Sequence, residues 1–212
     1  MTIEELTALE DEWLRRLPVA SVGDPMDSDQ QIEILQAWRR IFGYYVIEAR
    51  EGGVEVLKRA LFLYWYSLFE PNELSGLHNL DDVLIMEMLG MVDDLARQDA
   101  FDDEFKWMLA DYYGTADFYI DSFEGFAELK EASRVNRDIY MPDWDSPPVH
   151  YDIAREMQEA LAQKVELTPY EEMCLKLSFS NRGQMGVFFS DVQNNVAREL
   201  ERVTELKNRQ QH

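Results

Sequence analysis

Residues 60–69 read ALFLYWYSLF, from Ala60 to Phe69, with Glu70-Pro71 directly after. The stretch passes without a charge in a chain of 212 residues whose formal net charge is −22. A membrane span, a buried strand and a buried helix are the three structures that would accommodate it. A span needs about 20 apolar residues, and Lys58-Arg59 and Glu70 close this run well short of that. A buried strand would be rich in β-branched residues. The aromatics here suit a strand, but leucine is abundant, β-branched residues are nearly absent, and the pattern continues unbroken from Val54. Leu57, Leu61, Tyr64 and Leu68 step by four, three and four, with Phe62, Trp65, Tyr66 and Phe69 on the flanks. The spacing predicts a helix over 54–69, apolar nearly all round and therefore wrapped by others. Pro71 forbids its continuation.

The neighbours of this segment also read as helices. Residues 2–16 begin with Thr2 as a cap and Glu4 and Glu5 at the positive end, and Leu6, Leu9, Trp13 and Leu17 recur at helical spacing. Pro18 to Asp29, with Gly23 and Pro25, reads as a loop. Residues 30–50 place Ile34, Trp38, Ile41, Phe42 and Tyr45 on one face and Arg39, Arg40, Glu48 and Arg50 on the other, before Gly52-Gly53. A helix from Leu80 to Gln98 is expected, with Asp81 as its N-cap. Asp102-Asp103-Glu104 opens another, with Phe105, Met108, Leu109, Tyr112 and Tyr113 inward and Gly114 as the expected break or bend. A further helix covers 125–138.

The stretch IYMPDWDSPPVH, residues 139–150, has three prolines and no periodicity, and reads as a connection. Beyond it, Ile153, Met157 and Leu161 recur every four residues. Thr168-Pro169-Tyr170-Glu171 has the form of a capping box. A last helix over 187–208 is expected to bury Phe189, Val192, Val196, Leu200, Val203 and Leu206. The segment LKLSFSNRGQMGVFFS, residues 175–190, also admits a β-hairpin turning at Asn181-Arg182-Gly183. The expected architecture is all-α: a single-domain bundle of about eight to nine helices around helix 54–69. Its parts would be a helical core over 1–138, a Pro-rich connection over 139–150, and C-terminal helices over 151–212 packed on the same core.

Charge narrows the function classes. There are 42 acidic and 20 basic side chains, a balance that repels phosphate backbones and anionic membrane surfaces. Direct nucleic-acid or membrane binding is therefore not expected, whereas a basic protein partner is. The single cysteine, Cys174, excludes an intramolecular disulfide and suits a reducing compartment. The acidic start MTIEELTALEDEW does not resemble a signal peptide. A bacterial-type cytoplasmic location is expected.

Catalytic signals are weak. His78, His150 and His212 share no metal-ligand spacing on a helix face. Cys174 lies in EEMCLKL, where neighbouring acids and burial raise a thiol's pKa and make it inert. No nucleophile elbow, phosphate loop or dinucleotide fingerprint occurs. Binding rather than catalysis is expected, with no cofactor. The pairs Glu70/Glu73 and Asp99/Asp102 keep a second reading open, a Mg²⁺-dependent helical phosphohydrolase with those four ligands.

From Asp81 to Glu131 fifteen acids face only Arg97, Lys106 and Lys130. Within that span DYYGTADFYIDSFEGF interleaves acids with aromatics. One reading puts the aromatics in the core and the acids in water. The other leaves tyrosines among carboxylates as a docking surface. On it Asp102, Asp103, Asp111, Tyr112, Tyr113, Asp117 and Asp121 would engage a basic partner, as an inhibitor or a toxin-neutralising immunity protein does. A DNA-mimic protein is a third reading of the same charge.

Overall fold

The computed structural model describes residues 1–17, 28–69, 75–142 and 167–210. The described residues form eight helices and no strand: α1 (Ile3–Leu14), α2 (Ser28–Ala49), α3 (Val54–Phe69), α4 (Asp82–Arg97), α5 (Asp103–Ser122), α6 (Ala127–Tyr140), α7 (Pro169–Lys176) and α8 (Gly183–Gln210). The all-α expectation holds. The stripe at Ile153, Met157 and Leu161, most of the loop after Pro18 and most of the connection before His150 lie outside the described residues. The chain forms two compact units, Met1–Gln98 with Phe179–Phe188, and Asp99–Ser178 with Phe189–His212.

Local chemistry sets the helix ends. Thr2 and Glu5 form a reciprocal capping box on α1, and Thr168 and Glu171 form another on α7 with Pro169 in its first turn. Asp81 accepts from the backbone N–H groups of Val83 and Leu84, and Asp102 from that of Phe105. Each cap satisfies donors that the start of a helix leaves without an intrahelical partner. No β-hairpin forms at 175–190. Asn181 and Gly183 do adopt left-handed φ values of 59° and 55°, so the chain turns there. The turn joins two helices, because the residues after it continue as α8 from Gly183, four positions earlier than the expected start at Val187.

In the first unit α2 packs on α1, α3 and α4, and α4 also packs on α3. Leu57, Ala60, Leu61, Phe62, Leu63 and Trp65 of α3 are buried. Phe188 meets Phe62, Trp65 and Tyr66 at ring-centroid distances of 5.7, 5.3 and 5.6 Å. Burial of each such side chain contributes about 1.5–3 kcal/mol before the entropy of ordering is set against it. The charged residues just before the apolar run are buried too: Lys58 and Arg59 are interior.

Arg59 is interior among polar partners that centre on a buried acid. The buried edge of α1 is Leu6, Glu10 and Trp13, and Glu10 is only 1% exposed. Its Oε2 accepts from the Tyr45 hydroxyl at 2.6 Å, and its Oε1 from the backbone N–H of Gln184 at 2.7 Å. Gln184 lies in the first turn of α8, so Glu10 caps that helix from another part of the chain. The Arg59 guanidinium donates to Thr7 Oγ1 at 2.6 Å, to the Tyr45 hydroxyl at 3.4 Å, to Glu55 at 3.1 Å and to the Asn181 carbonyl at 3.4 Å. Burial lifts the Glu10 carboxyl from 4.5 to about 7, and the bonds from Tyr45 and Gln184 and the charge of Arg59 offset part of that rise.

Two glycines make room for these contacts. A Cβ on Gly183 would lie 2.1 Å from the Glu10 carboxyl carbon, and one on Gly76 would lie 2.2 Å from Trp38 Cδ1. Gly76 also has a φ of 69°. The loop at Ser75–Gly76 is tied to α8 by Gln184 Nε2, which donates to the Ser75 carbonyl at 3.2 Å.

Two outcomes follow. Glu10 holds its proton more readily when folded, so its contribution is full below 4.5 and is lost as pH rises from 4.5 through 7. Denaturant unfolding should show the parent chain losing roughly 3 kcal/mol more than Glu10→Gln across that window. Gly183→Ala should lower unfolding stability by about 1–3 kcal/mol, since the new methyl group displaces the carboxyl that caps α8.

Candidate protein-docking face

The second unit contains all seven residues expected to form a docking surface. There α5 packs along α6, and both touch α7. Helix α5 is buried over most of its length: Phe105, Trp107, Met108, Leu109, Ala110, Asp111, Tyr112, Tyr113 and Ala116 are interior. The helix runs through Gly114, where a bend was expected, and departs from helical geometry at Ala116 instead, at φ −148° and ψ 37°. Just before it, the Thr115 hydroxyl donates back to the carbonyls of Asp111 at 2.9 Å and Tyr112 at 3.3 Å. Such back-bonding competes with the helical ladder and bends it.

The seven residues therefore divide. Asp102 and Asp103 are exposed at the start of α5, with Asp102 committed to its cap. Asp117 and Asp121 are exposed at the other end, roughly 20 Å away at the helical rise per residue. Asp111, Tyr112 and Tyr113 are buried between them. Phe118, which the expected set omits, is 60% exposed and is the most exposed aromatic side chain among the described residues. Its ring lies 4.5 Å from that of Tyr119. Glu124 is exposed as well, and Asp103, Asp117, Asp121 and Glu124 form no ion pair among the described residues.

The nearby cations are already used. Lys130 donates to the carbonyls of Asp121 at 3.1 Å and Phe123 at 2.5 Å, closing the end of α5. Arg134 makes a two-pronged pair with Glu131, at 2.8 and 3.1 Å. Arg137 pairs with Asp138 at 2.7 Å and lies 5.6 Å above the Tyr113 ring, whose hydroxyl donates to Asp121 at 3.2 Å. Burial first, and the neighbouring Asp121 next, raise the Tyr113 hydroxyl above its ordinary pKa.

Asp111 has a structural task. Its Oδ1 accepts from the Tyr170 hydroxyl at 2.7 Å, and Trp107 stacks on Tyr170 at 4.9 Å while its Nε1 donates to the Tyr170 carbonyl at 3.1 Å. This joins α7 to α5. Burial raises the Asp111 carboxyl from 3.8 to about 6, and the bond from Tyr170 opposes the rise. Cys174, fully buried on α7, is pushed up to about 12 by burial, then by Asp111 and Glu171, so its thiolate is suppressed. Gln193 donates to the carbonyls of Cys174 at 2.6 Å and Leu177 at 2.8 Å, closing the end of α7. On α8, Phe189 is buried, Val192 and Val196 are half-buried, and Leu200 is 41% exposed rather than interior.

Of the four carboxylates in the metal reading, Glu70 and Glu73 lie outside the described residues. Asp99 is exposed at a left-handed φ of 49°, and Asp102 is the cap of α5. Among the described residues no group of three His, Cys, Asp or Glu could hold a metal ion. The first unit has a pocket of about 170 Å³ floored by Ala49, Val54, Leu57, Met91 and Leu95. Its charged rim is already paired: Arg50 with Glu87 at 2.7 Å and Asp94 with Arg97 at 2.6 Å. No helix of the described residues is long and apolar enough to cross a membrane.

Pattern does not single out Glu10 and Arg59, and it shows Phe118 only as one of the aromatics interleaved with acids in DYYGTADFYIDSFEGF. Glu10 did carry a signal, since it stands at i+4 from Leu6 and i−3 from Trp13, on the face that α1 buries.

Tyr170→Phe removes the hydroxyl donor of Asp111. The cost should be small near pH 4, where the buried acid is largely protonated, and about 1–3 kcal/mol near pH 7, where it is charged. Denaturant unfolding at the two pH values, repeated with Asp111→Asn added, should show the second change recovering part of the loss at the higher pH.

Compared with protein-family models, curated proteins and solved structures, the chain matches none.

Proposed function

We propose that this chain is an acidic protein-binding module of the cytoplasm, of the kind that inhibits or neutralises a basic partner protein. The observation that carries the reading is the end of α5, where Phe118 is exposed in a stretch that also exposes the carboxylates of Asp117, Asp121 and Glu124. Aromatic side chains anchor protein interfaces when water is excluded around them. Carboxylates at the rim steer an oppositely charged partner and reject like-charged ones. The net charge of −22 adds a long-range field that raises the rate of encounter at low salt. The exposed acids at the start of α5, Asp102 and Asp103, extend the same field.

The burial of Asp111, Tyr112 and Tyr113 decides how the reading is tested. Changing them would disturb the core, and changing Asp102 would remove a helix cap. Asp103, Asp117 and Asp121 are exposed, and of the three Asp121 also accepts from the Tyr113 hydroxyl, so its change costs that one bond. The variant Asp103→Lys/Asp117→Lys/Asp121→Lys should keep its helical circular-dichroism spectrum. In affinity capture from lysate at low salt, the parent chain should retain basic proteins that this variant releases. Equal capture by both would refute the assignment of the face.

A further inference from the structure

We propose that the partner presents an arginine rather than a lysine to the end of α5, with its guanidinium stacked on Phe118 and held by the carboxylates of Asp117 and Asp121. The inference rests on the docking reading above and specifies the chemistry of what docks.

A pair of carboxylates alone accepts an ammonium and a guanidinium alike. An exposed ring alone prefers an apolar side chain. The two together favour a planar, weakly hydrated cation that stacks with its face and bonds with its edge. Asp117 and Asp121 are four residues apart and Phe118 and Asp121 three, so Asp121 neighbours each of the other two on the helix surface. The backbone break at Ala116 separates this turn from the buried part of α5. Asp117 Oδ1 accepts from the Phe118 N–H at 2.6 Å, and Asp121 Oδ2 from the Tyr113 hydroxyl at 3.2 Å. Neither carboxylate has an ion pair among the described residues.

The same unit already stacks a guanidinium on a ring. The Arg137 guanidinium sits 5.6 Å over the Tyr113 ring and pairs with Asp138 at 2.7 Å. Phe118 offers an exposed ring with the cation supplied by the partner.

The test is fluorescence anisotropy of two labelled peptides, an oligo-arginine and an oligo-lysine of equal length, titrated at low ionic strength with the full chain. The parent chain should bind the arginine peptide more tightly, by roughly two- to fivefold for one exposed stacking contact. Phe118→Ala should reduce the arginine peptide to the affinity of the lysine peptide, and Phe118→Tyr should keep the preference. Asp117→Asn/Asp121→Asn should weaken both peptides. A preference that survives Phe118→Ala, or no preference in the parent chain, overturns the inference. If both peptides bind equally and weaken with the Asn variant, the docking reading stands and the arginine assignment falls. If neither binds, both fall together.

Discussion

The first unit depends on one buried carboxylate. Glu10 receives a hydroxyl from α2 and a backbone N–H from the first turn of α8. Arg59 of α3 stands beside the same hydroxyl and reaches the Asn181 carbonyl in the turn before α8. Four helices from distant parts of the sequence thus meet at one polar point inside an apolar interior. Burying a charge is costly unless it is paired and hydrogen-bonded. The arrangement supplies hydrogen bonds to Glu10 and an ion pair with Glu55 to Arg59, which gives it directional force that apolar packing lacks. Aromatic packing of Phe188 on α3 adds apolar contact, while Glu10 bonds the first turn of α8.

The second unit repeats the logic with different groups. Asp111 takes a hydroxyl from Tyr170, and the Trp107–Tyr170 stack shields the pair. Both buried acids are raised towards neutral pH by desolvation. In a chain with so large an acidic excess, the interior acids differ physically from the surface ones. The interior ones are held by hydrogen bonds from fixed donors, and burial disfavours their charged form.

Surface acids themselves fall into two kinds. Some are consumed locally: Glu5, Asp81, Asp102 and Glu171 close helix starts, and Glu87, Glu131 and Asp138 pair with arginines. Asp117, Asp121 and Glu124 form no ion pair among the described residues and belong to the stretch that exposes Phe118. The proposed docking face comes from this distinction rather than from the density of acids along the chain.

Helix identity was legible in the sequence by itself, because its causes are local. Periodicity near 3.6 placed α2, α3 and α4 within about two residues, and the capping residues Thr2, Asp81, Asp102 and Thr168 marked four starts. The buried stripe of α2, from Ile34 to Tyr45, was equally readable. What only the tertiary structure decided is which polar side chains go inside. Glu10 and Asp111 each sit on an apolar helix face, but an acid there is interior only if donors arrive from elsewhere. Those donors lie 35 and 174 residues from Glu10 and 59 residues from Asp111. No local pattern encodes an encounter at that separation, so the sequence determined the helices and their caps, and three-dimensional packing determined which carboxylates became structural and which stayed on the surface.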